Sequence, residues 1–115
     1  MPNYGYYLPL SEKLFDSVRF ISIEPKTEGL GSDAPQKQDK DGTPVWTLTA
    51  LVKYQGGSSE TENFTIPAGK KLYDQIAEIS ELTPIRLVGL SGGKWSRSDT
   101  DRTNWSFQIT GVVAA

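Results

Sequence analysis

Lys94, Trp95, Arg97 and Arg102 bring three cations and one large flat ring together within nine positions, on the segment Ser91-Gly92-Gly93-Lys94-Trp95-Ser96-Arg97-Ser98-Asp99-Thr100-Asp101-Arg102-Thr103. Cations suit phosphates. An exposed indole suits the face of a base, where stacking is worth about 1–3 kcal/mol per base and tolerates any sequence. The plainer alternative folds Trp95 back on the domain rim and leaves Lys94 and Arg97 solvated, partly neutralised by Asp99 and Asp101. Three further residues extend the candidate set. Lys53 and Tyr54 close a strand-like run, and Arg86 stands on the opposite phase to Ile85 and Leu87, where it would lengthen a basic track.

Other chemistry finds little support. The chain has no histidine and no cysteine, which removes the commonest general base, the commonest metal ligand, disulfides and thiolate zinc sites. Glu60 and Glu62, and Asp99 and Asp101, lack an attached base, nucleophile or pocket. Gly56-Gly57 and Gly92-Gly93 lack the GxxxxGK[ST] spacing of a phosphate loop and read as turns. Lys70 and Lys71 oppose a helix dipole only weakly and read as solvated. The expectation is therefore a non-catalytic protein with no metal and no cofactor.

The elements that would position these residues follow from periodicity. At 115 residues, 37% hydrophobic and 23% charged, the chain suits one globular domain. The net charge of −2 gives no bulk attraction for a polyanion, so any positive surface must be local. Val18–Glu24 reads as a first strand whose alternation breaks between Phe20 and Ile21, as a bulge would require. Residues 1–17 read as an N-terminal extension carrying Tyr4, Tyr6 and Tyr7, with residues 18–115 the domain. Pro25–Pro44, mixed in charge and rich in glycine and proline, reads as a long mobile loop.

Val45–Tyr54 alternates cleanly, with Trp46, Leu48, Ala50, Val52 and Tyr54 on the core side. After a turn at Gln55–Ser59, a third strand runs from Thr61 to Pro67, Phe64 and Ile66 inward. Lys71–Leu82 then switches to helical spacing, Leu72, Ile76, Ile79 and Leu82 forming one stripe, and Thr83-Pro84 stops it. Ile85–Leu90 and Asn104–Val113 complete the count as fourth and fifth strands, the latter with Trp105, Phe107 and Ile109 on the core phase.

Three strands, one short helix and two more strands is the order of a mainly β, five-stranded oligonucleotide/oligosaccharide-binding (OB) Greek-key barrel, which binds polymers across strands 2–3 and two loops. The Asp39-Lys40-Asp41-Gly42-Thr43-Pro44-Val45-Trp46 entry into strand 2, the Val52-Lys53-Tyr54 strand end and the Ile85-Arg86-Leu87-Val88-Gly89-Leu90 run resemble small OB-fold single-stranded-DNA-binding proteins of actinobacterial plasmids, phages and integrating elements. The resemblance implies a cytoplasmic replication or maintenance accessory that binds single-stranded DNA; the sequence leaves RNA open as the other ligand of that class, and a homodimer belongs to the rival reading as a structural module. With no signal peptide and no run near the roughly 18 apolar residues of a membrane span, a soluble protein is expected. The rival readings are a protein-interaction or structural module of a mobile element, and a glycan-binding β module.

Overall fold

The computed structural model describes residues 8–9, 12–28, 34–96 and 103–115, with the backbone alone for 8, 9, 12, 94–96 and 103–105. The described chain is mainly β with one α-helix. The strands are β1 (Leu8–Pro9), β2 (Phe15–Pro25), β3 (Val45–Tyr54), β4 (Ser59–Pro67), β5 (Ile85–Val88), β6 (Ser91–Ser96), β7 (Thr103–Gln108) and β8 (Gly111–Ala114), with α1 (Lys70–Ala77) between β4 and β5.

β2, β3 and β4 form an antiparallel meander. Its core face follows from the alternation in β3: Leu48, Ala50 and Val52 are buried, and their cross-strand partners include Phe20, Val18 and Phe64. Phe15 meets Phe64 and Phe107 edge-on at 6.0 Å centroid spacing in both pairs, geometry worth about 0.5–1.5 kcal/mol per pair beyond area burial. Ile66, Ile76 and Ile109 complete the fully buried set. Trp46 departs from the expectation of a core interior position. It is only half-buried at the end of the meander, where α1 covers one ring face.

The register of β2 against β3 slips between Phe20 and Ser22, at the apolar pair where the alternation fails. Ile21 is the extra residue, and beyond it Ile23 returns to the core side opposite Leu48. A second slip lies between Phe15 and Ser17. The first strand thus starts at Phe15, and Leu8–Pro9 pairs with β6, so the expected extension is partly built into the sheet. Tyr4, Tyr6 and Tyr7 lie outside the described residues.

The helix is shorter than its apolar stripe suggests. It ends at Ala77 with Glu78 as C-cap, and Leu82 is 48% exposed rather than part of the buried stripe. The reason is backbone pairing: Leu82 N–H donates to Phe20 O (2.6 Å) and Phe20 N–H to Thr83 O (3.0 Å). Those groups are free for β2 only if the chain leaves helical geometry, and Leu82 does so at a φ of 68°.

Neither of the last two strands is continuous. The expected fourth strand shortens to β5 and turns at Gly89-Leu90 into β6, which lies in the expected loop, and the fifth divides into β7 and β8 around Ile109-Thr110. Gly89 has a φ of +67°, and a Cβ there would stand 2.2 Å from Thr110 Oγ1. Thr110 N–H and Oγ1 both donate to Val88 O, at 2.8 and 3.2 Å. The two kinks therefore interlock, and the chains pass from one sheet into the other at this corner. Gly92-Gly93 is strand rather than turn: both residues are buried in β6, and Gly92 pairs with Phe107 across the ladder.

The larger sheet has the order β1-β6-β7-β4-β3-β2, and β5 pairs with β8 in a second sheet. All neighbours are antiparallel except β4 and β7. Among the described residues no ladder closes the larger sheet on itself. Its two edge strands, β1 and β2, are nevertheless consecutive in the chain, and an isolated Arg19–Pro84 bridge ties β2 to the start of β5.

Candidate functional site

The outward face of the meander is set by the same register that builds the core. Thr47, Thr49, Leu51 and Lys53 of β3 lie opposite Thr65, Asn63, Thr61 and Ser59 of β4, and opposite Glu24, Ser22, Arg19 and Ser17 of β2. Gln108 continues one row next to Thr65. This is a surface of hydroxyls and amides on a stiff backbone. Thr49 Oγ1 donates to Asn63 Oδ1 at 2.9 Å, which leaves the Asn63 amide donors turned to solvent.

Both ends of the strip carry cations. At the Val45 end the segment expected to be a long loop has a paired stem. Thr27 bridges Gln36 and Gln38 bridges Pro44, and the stem buries Val45. Asp39 shapes its tip: its Oδ1 accepts from the N–H groups of Asp41 and Thr43, both at 2.9 Å, and Gly42 takes the positive φ of 81° that the turn requires. Lys26 reaches from the stem to the strip, its Nζ donating to Thr65 Oγ1 at 3.1 Å. Burial, and then the neighbouring Lys37 charge, hold the Lys26 ammonium below the ordinary lysine pKa.

At the other end stand Lys53 and the β6–β7 hairpin. Lys53 is exposed and faces Ser17 and Ser59. Of the loop expected over 91–103, Ser91–Ser96 and Thr103 are strand: Lys94 pairs with Trp105 and Trp95 with Asn104. These positions are strand because the Ser91–Gly93 run pairs with Ser106–Gln108 and carries the ladder outward. Arg97 and Arg102 lie outside the described residues. Because β7 runs parallel to β4, with Phe107 beside Phe64, the open end of the hairpin lies towards the Ser59 end of the strip.

Arg86 is exposed on β5 opposite Val113, two positions beyond the Arg19–Pro84 bridge. It and Arg19 flank a cleft of about 310 Å³ floored by Phe15, Val18, Ile85 and Leu87, where β2 and β5 separate. Arg19 itself donates from Nη1 to Leu82 O at 3.1 Å. Tyr54 turns the other way. Its ring packs edge-on against Phe15, with centroids 5.1 Å apart, and its hydroxyl donates to a Glu62 carboxylate oxygen. Burial first, then this hydrogen bond and the charges of Glu62 and Glu60, push the Tyr54 hydroxyl pKa well above its ordinary value. Its phase against Phe15 is the reason it serves the core end and not the outward strip.

Nothing in the sequence pattern marks Lys26, Lys37 or Arg19 as site residues. Two lysines 11 positions apart in a mixed-charge segment carry no periodic signal, and only the stem pairing reveals them. Lys70, read as solvated, is exposed and makes an (i, i+4) ion pair with Asp74 at 2.8 Å. Among the described residues no cluster of metal-ligating side chains is present, and no helix is long and apolar enough to cross a membrane. Comparison with protein-family models, curated proteins and solved structures finds no match for this chain.

Proposed function

We propose that this chain is an OB-like domain that binds single-stranded nucleic acid, DNA in the first instance, without catalysis. On this reading β2, β3 and β4 are the first three barrel strands, β5–β6 the kinked fourth and β7–β8 the kinked fifth. Two features support it. The last strand returns beside β4 in parallel after the helix. The chain itself, through residues 10–14, links the two sheet edges that a barrel would seal.

The observation that carries the ligand assignment is the half-buried Thr47–Thr49–Thr65 strip, open to polar contact along its length and flanked by cations at both ends. Hydroxyls and the Asn63 amide suit sugar and phosphate oxygens. Lys53 at one end, and Lys26 with Lys37 at the other, supply counter-charge, and the sequence candidates Lys94, Arg97 and Arg102 are counted with them as phosphate partners. Arg19 and Arg86 extend it round the edge, and Trp95 supplies the stacking face. The same surface suits the replication or maintenance accessory role implied by the resemblance to DNA-binding proteins of mobile elements.

Fluorescence anisotropy of a dye-labelled oligo-dT at low and moderate salt tests this. Binding should weaken as salt rises, by about 0.7 log units in affinity per tenfold salt for each phosphate neutralised. Trp95→Ala should weaken it by about 1–3 kcal/mol, one stacked base, with the fold intact by circular dichroism. No change in anisotropy at low salt with tens of micromolar protein defeats the proposal. A protein partner then becomes the better reading, since Val88 and Val113 are exposed on the outward face of β5–β8, at 41% and 48%.

A further inference from the structure

The stem that covers Val45 is closed by a cycle of three backbone hydrogen bonds: Lys37 N–H to Lys26 O (2.7 Å), Lys26 N–H to Val45 O (3.1 Å) and Val45 N–H to Lys37 O (2.8 Å). One step along from the Thr27–Gln36 bridge, this cycle sets Lys26 and Lys37 directly opposite each other. Directly opposed side chains in an antiparallel pair have Cβ atoms about 4.5–5.5 Å apart, and like charges there are destabilising.

No described carboxylate is ion-paired with either ammonium. The Lys26 amine is held by the neutral Thr65 hydroxyl. The nearby Asp39 carboxylate accepts from two backbone N–H groups of its own turn, and Glu28 lies beyond the bridge, its N–H bonded to Pro35 O. Among the described residues, the two facing cations at the mouth of the polar strip are thus left without an ion-pair partner. A local rule broken without compensation is a mark of a functional site.

We infer that Lys26 and Lys37 form an anion clasp: a phosphate-type oxyanion seated between them and Thr65 closes the Val45 stem, and in the binding reaction proposed above that anion is a phosphodiester of the bound strand. The inference rests on that reading for its ligand, and adds that ligand binding and stem order are coupled. Without the anion, charge repulsion works against the three-bond cycle. With it, the same lysines clamp the stem shut. An anion that binds only the closed stem lowers the open fraction by a factor of one plus the ratio of its free concentration to its Kd, about tenfold at ten times its Kd.

Amide hydrogen exchange at Lys37 and Val45 reads stem opening directly, and it should be measured on the full chain with oligo-dT, with inorganic pyrophosphate and with neither. Exchange should slow about tenfold with oligo-dT at ten times its Kd and should also slow with pyrophosphate. Lys37→Gln should slow exchange in the ligand-free protein, abolish the further slowing by either anion, and lower the oligo-dT salt slope by about 0.7, one phosphate contact. Oligo-dT that binds while these amides and the Lys37→Gln slope stay unchanged overturns the clasp and leaves the binding reading standing. Slowing by pyrophosphate in a protein that ignores oligo-dT overturns the strand as the anion's source. No response to either, with no oligo-dT binding, overturns both.

Discussion

The indole of Trp46 lies flat on the ring of Tyr73, centroids 4.0 Å apart and planes 18° from parallel, while its Nε1 donates to Ala68 O at 2.9 Å. One side chain on β3 thus fixes both the first turn of α1 and the chain that enters it. The hydrogen bond spans the β4–α1 junction and sets the angle at which α1 delivers Ile76 to the core.

Trp46→Phe keeps a ring for the stack and loses the hydrogen bond, a loss of about 0.5–1.5 kcal/mol. Trp46→Ala also removes the aromatic pair, another 0.5–1.5 kcal/mol or so. Urea denaturation should therefore show a graded series, Phe between wild type and Ala. Equal losses for the two variants would mean that the stack contributes nothing.

Gly89 and Thr110 form a second test. Gly89→Ala should destabilise by about 1–3 kcal/mol from the positive φ alone, and by more because the new methyl group meets the Thr110 side chain. Thr110→Ala relieves part of that clash, so the double variant should be more stable than the sum of the single losses. Thermal melts of the four proteins measure this coupling, and strict additivity would refute the interlocked corner.

Tyr54 predicts an alkaline limit. Its folded-state pKa lies above the ordinary 10.0, so its contribution to stability is intact below that value and is lost as pH climbs from about 10 towards the raised folded value. Tyr54→Phe should flatten this fall in chemical-denaturation stability measured between pH 9 and 11. Lys26, whose pKa is lowered, acts with the opposite sign: it disfavours the fold while charged and ceases to do so as pH rises towards 10.5. A Tyr54→Phe profile that falls as steeply as wild type would remove the role assigned to the Glu62 contact.

The outward strip separates binding from folding. Asn63→Ala and Thr49→Val leave every buried core residue in place, so melting should move little. On the proposed function each should weaken oligo-dT binding by about 1 kcal/mol for a lost hydrogen bond. Phe64→Ala, at a fully buried position, should instead cost about 3–5 kcal/mol of stability. Unchanged oligo-dT affinity in both strip variants would move the ligand off β3 and β4.

Local alternation determined much of this protein. The Val45–Tyr54 period marks the core face because successive strand side chains point to opposite sides, and the adjacent apolar pair Phe20-Ile21 marks a slipped register because no regular strand can bury both. Where non-local backbone groups compete, local pattern misleads. The stripe Leu72, Ile76, Ile79 and Leu82 reads as one helix, yet Phe20 requires the backbone of Leu82 and Thr83, so the helix yields. Gly92-Gly93 reads as a turn until the ladder is known to pair Gly92 with Phe107. The approach of Lys26 to Lys37 belongs to tertiary structure alone, because an 11-residue separation in a segment without periodicity does not say which two charges the returning chain will set face to face.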